Sequence, residues 1–279
     1  MPELPEVETI ARYLREGKDG LPLIGQIIRA VDVVWERSVA TPGAAEFIER
    51  VRGQEICEIG RRAKYLVIRL SQDYLLIHLR MSGDLRVEPE RREDGVSRPF
   101  ASHDRVVFHL DRDWRFVFND PRKFGRVWLL ADPQEVLGEL GPEPLEDTFT
   151  ADDLYTRLHS HQRQLKPLLL AQSFLAGLGN IYTDESLHLA GLHPNRLSNR
   201  LSRDEVEQLW QAIRTVLQEG IRRNGASIDW VYRGGDFQNS FRVYQRTGQP
   251  CPVCGTIIQR RVVGQRSTHF CLTCQPESE

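Results

Sequence analysis

The chain has 279 residues, 40% hydrophobic and 27% charged, with 37 Lys+Arg against 39 Asp+Glu. That balance excludes a disordered chain, and the length suits two or three domains better than one. No apolar run is long enough to cross a membrane, and MPELPEVETI carries carboxylates where a secretion signal would need a basic and then an apolar stretch.

The opening, Glu3 to Lys18, has helical spacing at Leu4, Val7, Ile10, Ala11 and Leu14, with Pro5 near the first turn. Short strands are predicted next. Leu23 to Trp35 is rich in Ile and Val. Lys64 to Leu70 and Tyr74 to Met81 flank a Ser71-Gln72-Asp73 turn. Arg105 to Leu110 and Trp114 to Phe118 flank Asp111-Arg112-Asp113, and Arg126 to Leu130 closes the set. Strands at this spacing suggest a β-sandwich or barrel of roughly 130 residues. The acidic, Pro/Gly-bearing stretch Asp132 to Pro144 reads as a linker. Helices are expected over Asp152–His159, Leu165–Ser173, Ile181–Leu189 and Arg203–Arg223. Asn180 is the expected N-cap of the third, with Asp184 and Glu185 near its first turn to favour the dipole. Ser227 to Ser240 reads as a loop, followed by a small cysteine-bearing unit.

A net charge of -2 taken alone argues against nucleic acid, since neutralising phosphates takes excess Lys/Arg. The distribution reverses that reading. Phe241 to Pro276 holds five arginines and no acid, whereas Ala131 to Thr156 holds eight acids and no base. Such segregation permits a basic face, although ordinary solvated faces would read the same way.

The strongest chemical signal is Cys251-x2-Cys254, 16 residues, then Cys271-x2-Cys274. Two such pairs can surround one tetrahedral Zn2+ with four thiolates, leaving no open position for catalysis. Thr256 to Phe270 is long enough for a hairpin turning near Gly264. A redox dithiol is the weaker reading, because such motifs normally occur singly beside a βαβ pattern. Cys57 stands apart and reads as a small buried apolar residue.

Other stretches are suggestive in combination. If Met1 is removed, Pro2 presents a secondary amine with a pKa of about 7.7–8.0, able to form an iminium with an aldehyde-like carbon. Glu3 and Glu6 lie within a helical turn of it. Read alone, acids at a helix start are more often dipole partners. Gly60-Arg61-Arg62-Ala63-Lys64-Tyr65 puts cations ahead of a strand. His78-Leu79-Arg80-Met81-Ser82-Gly83 puts a Met at a strand end. Asn119-Asp120-Pro121-Arg122-Lys123-Phe124-Gly125 is a turn with cations and an aromatic. Met and Phe on turn tips can act as wedges between bases, although each taken singly is the better candidate for core. Gly177-Leu178-Gly179-Asn180 before a helix could offer free N–H groups to a phosphate, or simply form a capped corner.

Together these residues resemble the formamidopyrimidine-DNA glycosylase family: MPELPEVET, RRAKYL at 61–66, HLRMSG at 78–83, NDPRKFG at 119–125, LGPEPL at 140–145, LGNIYTDESL at 178–187 and the terminal cysteines. The resemblance implies an α+β chain. It would comprise an N-terminal catalytic β-sandwich with a leading helix (1–131), a linker (132–150), a helix–two-turn–helix DNA-binding domain (151–226), a lesion-covering loop (227–240) and a four-cysteine zinc finger (241–279). It implies Pro2 as nucleophile and Glu3 as proton donor. Lys64 would transfer a proton in β-elimination, and Arg266 would bind phosphate in δ-elimination. Met81, Arg122 and Phe124 would fill the gap left by a flipped base and contact the opposite cytosine. His103, His161, Lys166 and Asn180 would contact DNA. This sequence departs from its relatives at Arg80, where Gly is common, at His161, where Lys or Arg is usual, and at Asp229 in a short loop.

The activity so implied is base-excision repair. Oxidised purines would leave duplex DNA through a proline Schiff base, and the strand would then be cut by β- and δ-elimination, with one structural zinc. The implied partner is double-stranded DNA bearing oxidised bases or abasic sites. A monomer in a bacterial cytoplasm, associated with the nucleoid, is expected. Two alternatives are an oxidised-pyrimidine enzyme of endonuclease VIII type and a catalytically silent DNA-damage-binding scaffold. Leu4-Pro5-Glu6 and the Met81/Arg122/Phe124 set favour the purine branch; the presence of Pro2, Glu3 and Lys64 disfavours the scaffold.

Overall fold

The structure, a computed structural model, describes residues 1–18, 20–227 and 234–277. The chain divides into two compact units. Among the described residues, the first comprises 1–2, 6–18 and 20–138, and the second 3–5, 139–227 and 234–277. The predicted loop 227–240 therefore lies partly outside the described residues, Asp229 included.

The first unit is a β-sandwich with a leading helix. Helix α1 (Leu4–Glu16) places Val7, Ile10, Ala11 and Leu14 on one buried face, as the spacing requires. Strand β1 (Ile28–Val33) is shorter than the Ile/Val-rich stretch suggested, and β2 (Val39–Thr41) and helix α2 (Ala44–Val51) follow it. Strands β3 (Ile56–Arg62), β4 (Tyr65–Leu70) and β5 (Tyr74–His78) form a meander. Strand β6 (Asp84–Pro89) precedes the hairpin of β7 (Asp104–Leu110) and β8 (Trp114–Asn119), and β9 (Arg126–Leu130) completes the unit with the one-turn helix α3 (Gln134–Leu137). The sheets run β1-β7-β8-β6 and β2-β9-β5-β4-β3. Side chains from both, including Phe108, Phe116, Phe118, Ile68, Ile77 and Leu129, form one continuous core with the α1 face. The linker expected over 132–144 is thus interrupted by α3. The cations expected ahead of a strand partly belong to one: Arg61 and Arg62 end β3, and Ala63-Lys64 make the turn into β4.

The second unit carries α4 (Ala151–His159), α5 (Leu165–Leu169), α6 (Asn180–Leu189) and α7 (Arg203–Arg222), then the hairpin of β10 (Gln259–Val263) and β11 (Arg266–Phe270). Thr150 and Ser202 close capping boxes on α4 and α7 with Asp153 and Glu205. Helix α6 departs from expectation. It shows little amphipathic contrast, and Ile181 to His188 are all buried, polar residues included. Among the described residues, no helix is long and apolar enough to cross a membrane.

Candidate functional site

The N-terminus of α6 is capped from outside its own segment. Glu3 is 3% exposed, and its carboxylate accepts from the backbone N–H of Gly179 (2.8 Å), Ile181 (3.0 Å) and Tyr182 (3.4 Å). Asn180 is the first helical residue, not the N-cap, and its buried Oδ1 has no hydrogen-bond partner. A helix start is an anion site by geometry, and here the occupying anion is Glu3. Glycine at 179 follows from that approach, and Gly177, at φ +91°, packs on the Leu4 side chain while its carbonyl accepts the Leu4 N–H.

The acids of α6 are not dipole partners either. Asp184 is ion-paired with Lys166 at 2.6 Å, and both side chains are fully buried. Its other oxygen accepts from the His269 N–H at 2.9 Å, and Lys166 Nζ donates to the Ser267 carbonyl at 2.8 Å. Burial pushes the Lys166 ammonium below its usual range, against the pull of Asp184. Lys166, expected on DNA, lies inside the second unit, bonded to Asp184 and to β11. The β10–β11 turn lies against Pro167, where a Cβ on Gly264 would come within 2.7 Å of Cγ. Arg266 starts β11 with its side chain exposed. Glu185 accepts from the N–H groups of Arg242, Val243 and Tyr244, which fixes the segment entering the finger. Burial raises the Glu185 carboxyl, and those three donors oppose the rise.

The four finger cysteines converge as their spacing requires. Their sulfurs all lie within 4.8 Å of one another, with Cys251–Cys274 at 3.8 Å and Cys254–Cys271 at 3.4 Å. Tetrahedral zinc with Zn–S bonds near 2.3 Å places its sulfurs about 3.8 Å apart, so the donor set fits one structural Zn2+. The hairpin turns at Gly264-Gln265, as predicted. His188 at the far end of α6 lies 3.4 Å from Cys251 Sγ. Cys57 is half-buried rather than core.

In the first unit the wedge candidates come together. Met81 and Phe124 are 43% and 50% exposed, so neither is core. Arg122 Nη1 lies 3.3 Å from Met81 Sδ, and its guanidinium sits 5.0 Å from the Phe124 ring centroid. The next residue, Lys123, adopts φ +61° and lays its ammonium over Trp35. His78, buried at the end of β5, accepts the Arg80 N–H on Nδ1 at 3.0 Å; Arg80 itself sits at φ +53°. Burial, with the charges of Arg80 and Lys64, pushes His78 down to about 3. Pro2 and Lys64 are buried in this unit, and Met1 is exposed. His103 is exposed, while its carbonyl accepts the Asp120 N–H. His161 is exposed in the second unit, edge-on to Phe174.

Sequence reasoning missed Ser82, Asp120, Asp184, Glu185 and His188 as organising residues. Ser82 and Asp120 lie inside the two wedge motifs, which was a usable signal. The even spread of polar residues along NIYTDESLHL was the signal for the other three.

Three family descriptions cover the chain in order. The formamidopyrimidine-DNA glycosylase N-terminal domain matches residues 1–127, the H2TH domain of the same enzymes residues 140–231, and a zinc finger found in FPG and IleRS residues 248–276. The fold and finger thus define a zinc-finger DNA-repair glycosylase. Formamidopyrimidine-DNA glycosylase of Pelotomaculum thermopropionicum is 43% identical over 99% of both chains, and that of Chloroflexus aurantiacus 45% over 99% and 98%. A Lactococcus lactis Fpg variant, solved with DNA containing Fapy-dG, superposes with a TM-score of 0.90 at 35% identity, covering 99% of this chain and 100% of that one. A MutM complex with DNA containing carbocyclic 8-oxo-G gives 0.89 at 36%, with the same coverage. This chain belongs to the formamidopyrimidine-DNA glycosylase family, whose members are glycosylase/AP lyases.

Proposed function

We propose that the protein removes oxidised purines, 8-oxoguanine and formamidopyrimidines, from duplex DNA and then cleaves the strand at the resulting abasic site. The observation that carries this reading is the Met81–Arg122–Phe124 cluster, two exposed apolar side chains sharing one guanidinium. A base inside a duplex is out of reach of any active site, and extruding it costs roughly a few kcal/mol. Apolar wedges replace the lost stacking, and an arginine beside them can read the base left opposite.

With Met1 removed, the Pro2 nitrogen attacks C1′. The glycosidic bond breaks and the base leaves with a proton. Glu3 moves the proton that opens the sugar, with its carboxylate held in one orientation by three N–H groups. The iminium makes the C2′ proton acidic. Lys64 assists its removal, the C3′–O bond breaks, and the 3′ phosphate departs. A second elimination releases the 5′ phosphate, with Arg266 on the phosphate. His103, His161 and Asn180 supply backbone contacts, and Lys166 serves through the strand it holds. Zinc, bound by the four thiolates, supplies rigidity to the finger and no chemistry. The protein acts as a monomer on DNA in the bacterial cytoplasm.

Borohydride trapping tests this reading. A duplex with 8-oxoguanine opposite cytosine is expected to give a covalent protein–DNA band with the Pro2-terminated chain and none with the Met1-retaining form. A band only on an oxidised pyrimidine would reassign the base. Absence of a band on every lesion and on an abasic site, with DNA binding intact, would overturn the lyase mechanism.

A further inference from the structure

The two turns that carry the wedge cluster run side by side, one linking β5 to β6 and the other β8 to β9, with β5 paired to β9 and β6 to β8, and a buried polar pair joins them. Ser82 is 5% exposed and Asp120 is fully buried. The Ser82 hydroxyl donates to Asp120 Oδ1. The Arg122 N–H donates to both residues, at 3.3 Å to Ser82 Oγ and 3.2 Å to Asp120 Oδ1. The second carboxylate oxygen, Oδ2, accepts the Gly125 N–H at 2.7 Å, so one carboxylate closes the whole turn from 120 to 125. Asp120 is itself fixed at its backbone. Its N–H donates to the His103 carbonyl at 2.9 Å, and its carbonyl accepts from Arg105 Nε at 2.7 Å. Both turns are closely packed at a glycine. A Cβ at Gly125 would meet the Phe118 ring at 2.3 Å, and one at Gly83 would meet the Leu79 carbonyl at 2.5 Å.

We propose that Ser82 and Asp120 are positioning residues for opposite-base discrimination. Their hydrogen bond locks the Met81 turn and the Arg122–Phe124 turn into one body, so that wedge and reader enter the duplex at a fixed separation. The proposal rests on the wedge reading given under Proposed function. A hydroxyl-to-carboxylate hydrogen bond is among the strong kinds. A reader of base edges needs its supporting groups held to about half an ångström. Two side-chain contacts bridge the turns, the exposed Arg122–Met81 contact and the Ser82–Asp120 bond, and of these the Ser82–Asp120 bond is the buried one.

The test compares Ser82→Ala, Asp120→Asn and Arg122→Ala in single-turnover excision of 8-oxoguanine opposite cytosine and opposite adenine. Cleavage of a preformed abasic site in single-stranded DNA, which has no opposite base, runs beside them. Ser82→Ala and Asp120→Asn are each expected to lower the cytosine-to-adenine ratio about fivefold, the effect of one ordinary hydrogen bond, with single-strand cleavage held within about twofold. A loss of folded protein would lower all three activities by one common factor and leave the ratio unmoved, which would overturn the proposal. An unchanged ratio in Ser82→Ala and Asp120→Asn, with the ratio lowered in Arg122→Ala, overturns the clamp and leaves the wedge reading standing. An unchanged ratio in all three overturns the wedge reading and the clamp with it. Amide exchange at Arg122 and Gly125 in the free protein supplies a second check: faster exchange in Ser82→Ala is expected, and unchanged protection overturns the clamp.

Discussion

Gly179 lies so close against the Glu3 carboxylate that it leaves no space for a side chain of its own: a Cβ at 179 would lie 2.2 Å from Glu3 Cδ and 2.4 Å from Oε1. Gly179→Ala is therefore expected to push the carboxylate off its three N–H donors. Misplacing a reacting group by an ångström costs on the order of a hundredfold in rate. Excision should fall by about that much, while duplex affinity in a gel shift stays near the parent value.

Lys166→Met separates two accounts of this lysine. A phosphate contact would reduce the salt dependence of DNA binding by about one unit of slope. A buried ion pair would leave the slope unchanged and destabilise the fold by about 3–5 kcal/mol, because Asp184 would be left as an unpaired buried charge. The 2.6 Å pair and full burial favour the second outcome. Urea unfolding and a salt titration measure the two quantities.

Arg80 occupies a left-handed position, φ +53°, at which glycine is free of the steric cost that other residues meet. Arg80→Gly is expected to raise stability by up to about 1 kcal/mol in thermal or urea unfolding. Nothing in the structure explains the arginine.

His78 sets a pH dependence. Its folded pKa, about 3, lies below the ordinary value of 6.5, so the unfolded chain binds more protons in between. Stability is fully present above pH 6.5 and is lost as pH falls toward 3. The unfolding midpoint is expected to drop between pH 7 and pH 4.5. His78→Gln should start lower, since its Nδ1 acceptor for Arg80 is gone, and should show a flatter slope.

The sandwich, the finger and the five expected helices, α1 and α4 to α7, were legible because each follows a local period or spacing, although α5 ends at Leu169 and not at Ser173: Val7, Ile10 and Leu14 on α1, apolar runs either side of a turn in β4 and β5, CxxC pairs at a hairpin's separation. The finger's sulfur cluster needed only the positions of four cysteines. The reading failed where a residue's partner is distant in sequence. Asn180 follows the local rule for a cap, yet Glu3, far away in the chain, takes the cap. Asp184 and Glu185 sit where dipole partners belong, yet they bind Lys166, His269 and the 242–244 backbone. Met81 and Phe124 were better candidates for core one at a time. Only their shared neighbour Arg122 marks them as a unit, and that neighbourhood is tertiary. Helices α2 and α3 were missed outright.

Helix α6, ten residues long, spans about 15 Å. It meets Glu3 at its first turn, the Lys166 pair and β11 at its middle, and Cys251 through His188 at its last turn. Distances among these groups are therefore referred to one short rod, not accumulated along the chain that separates them in sequence.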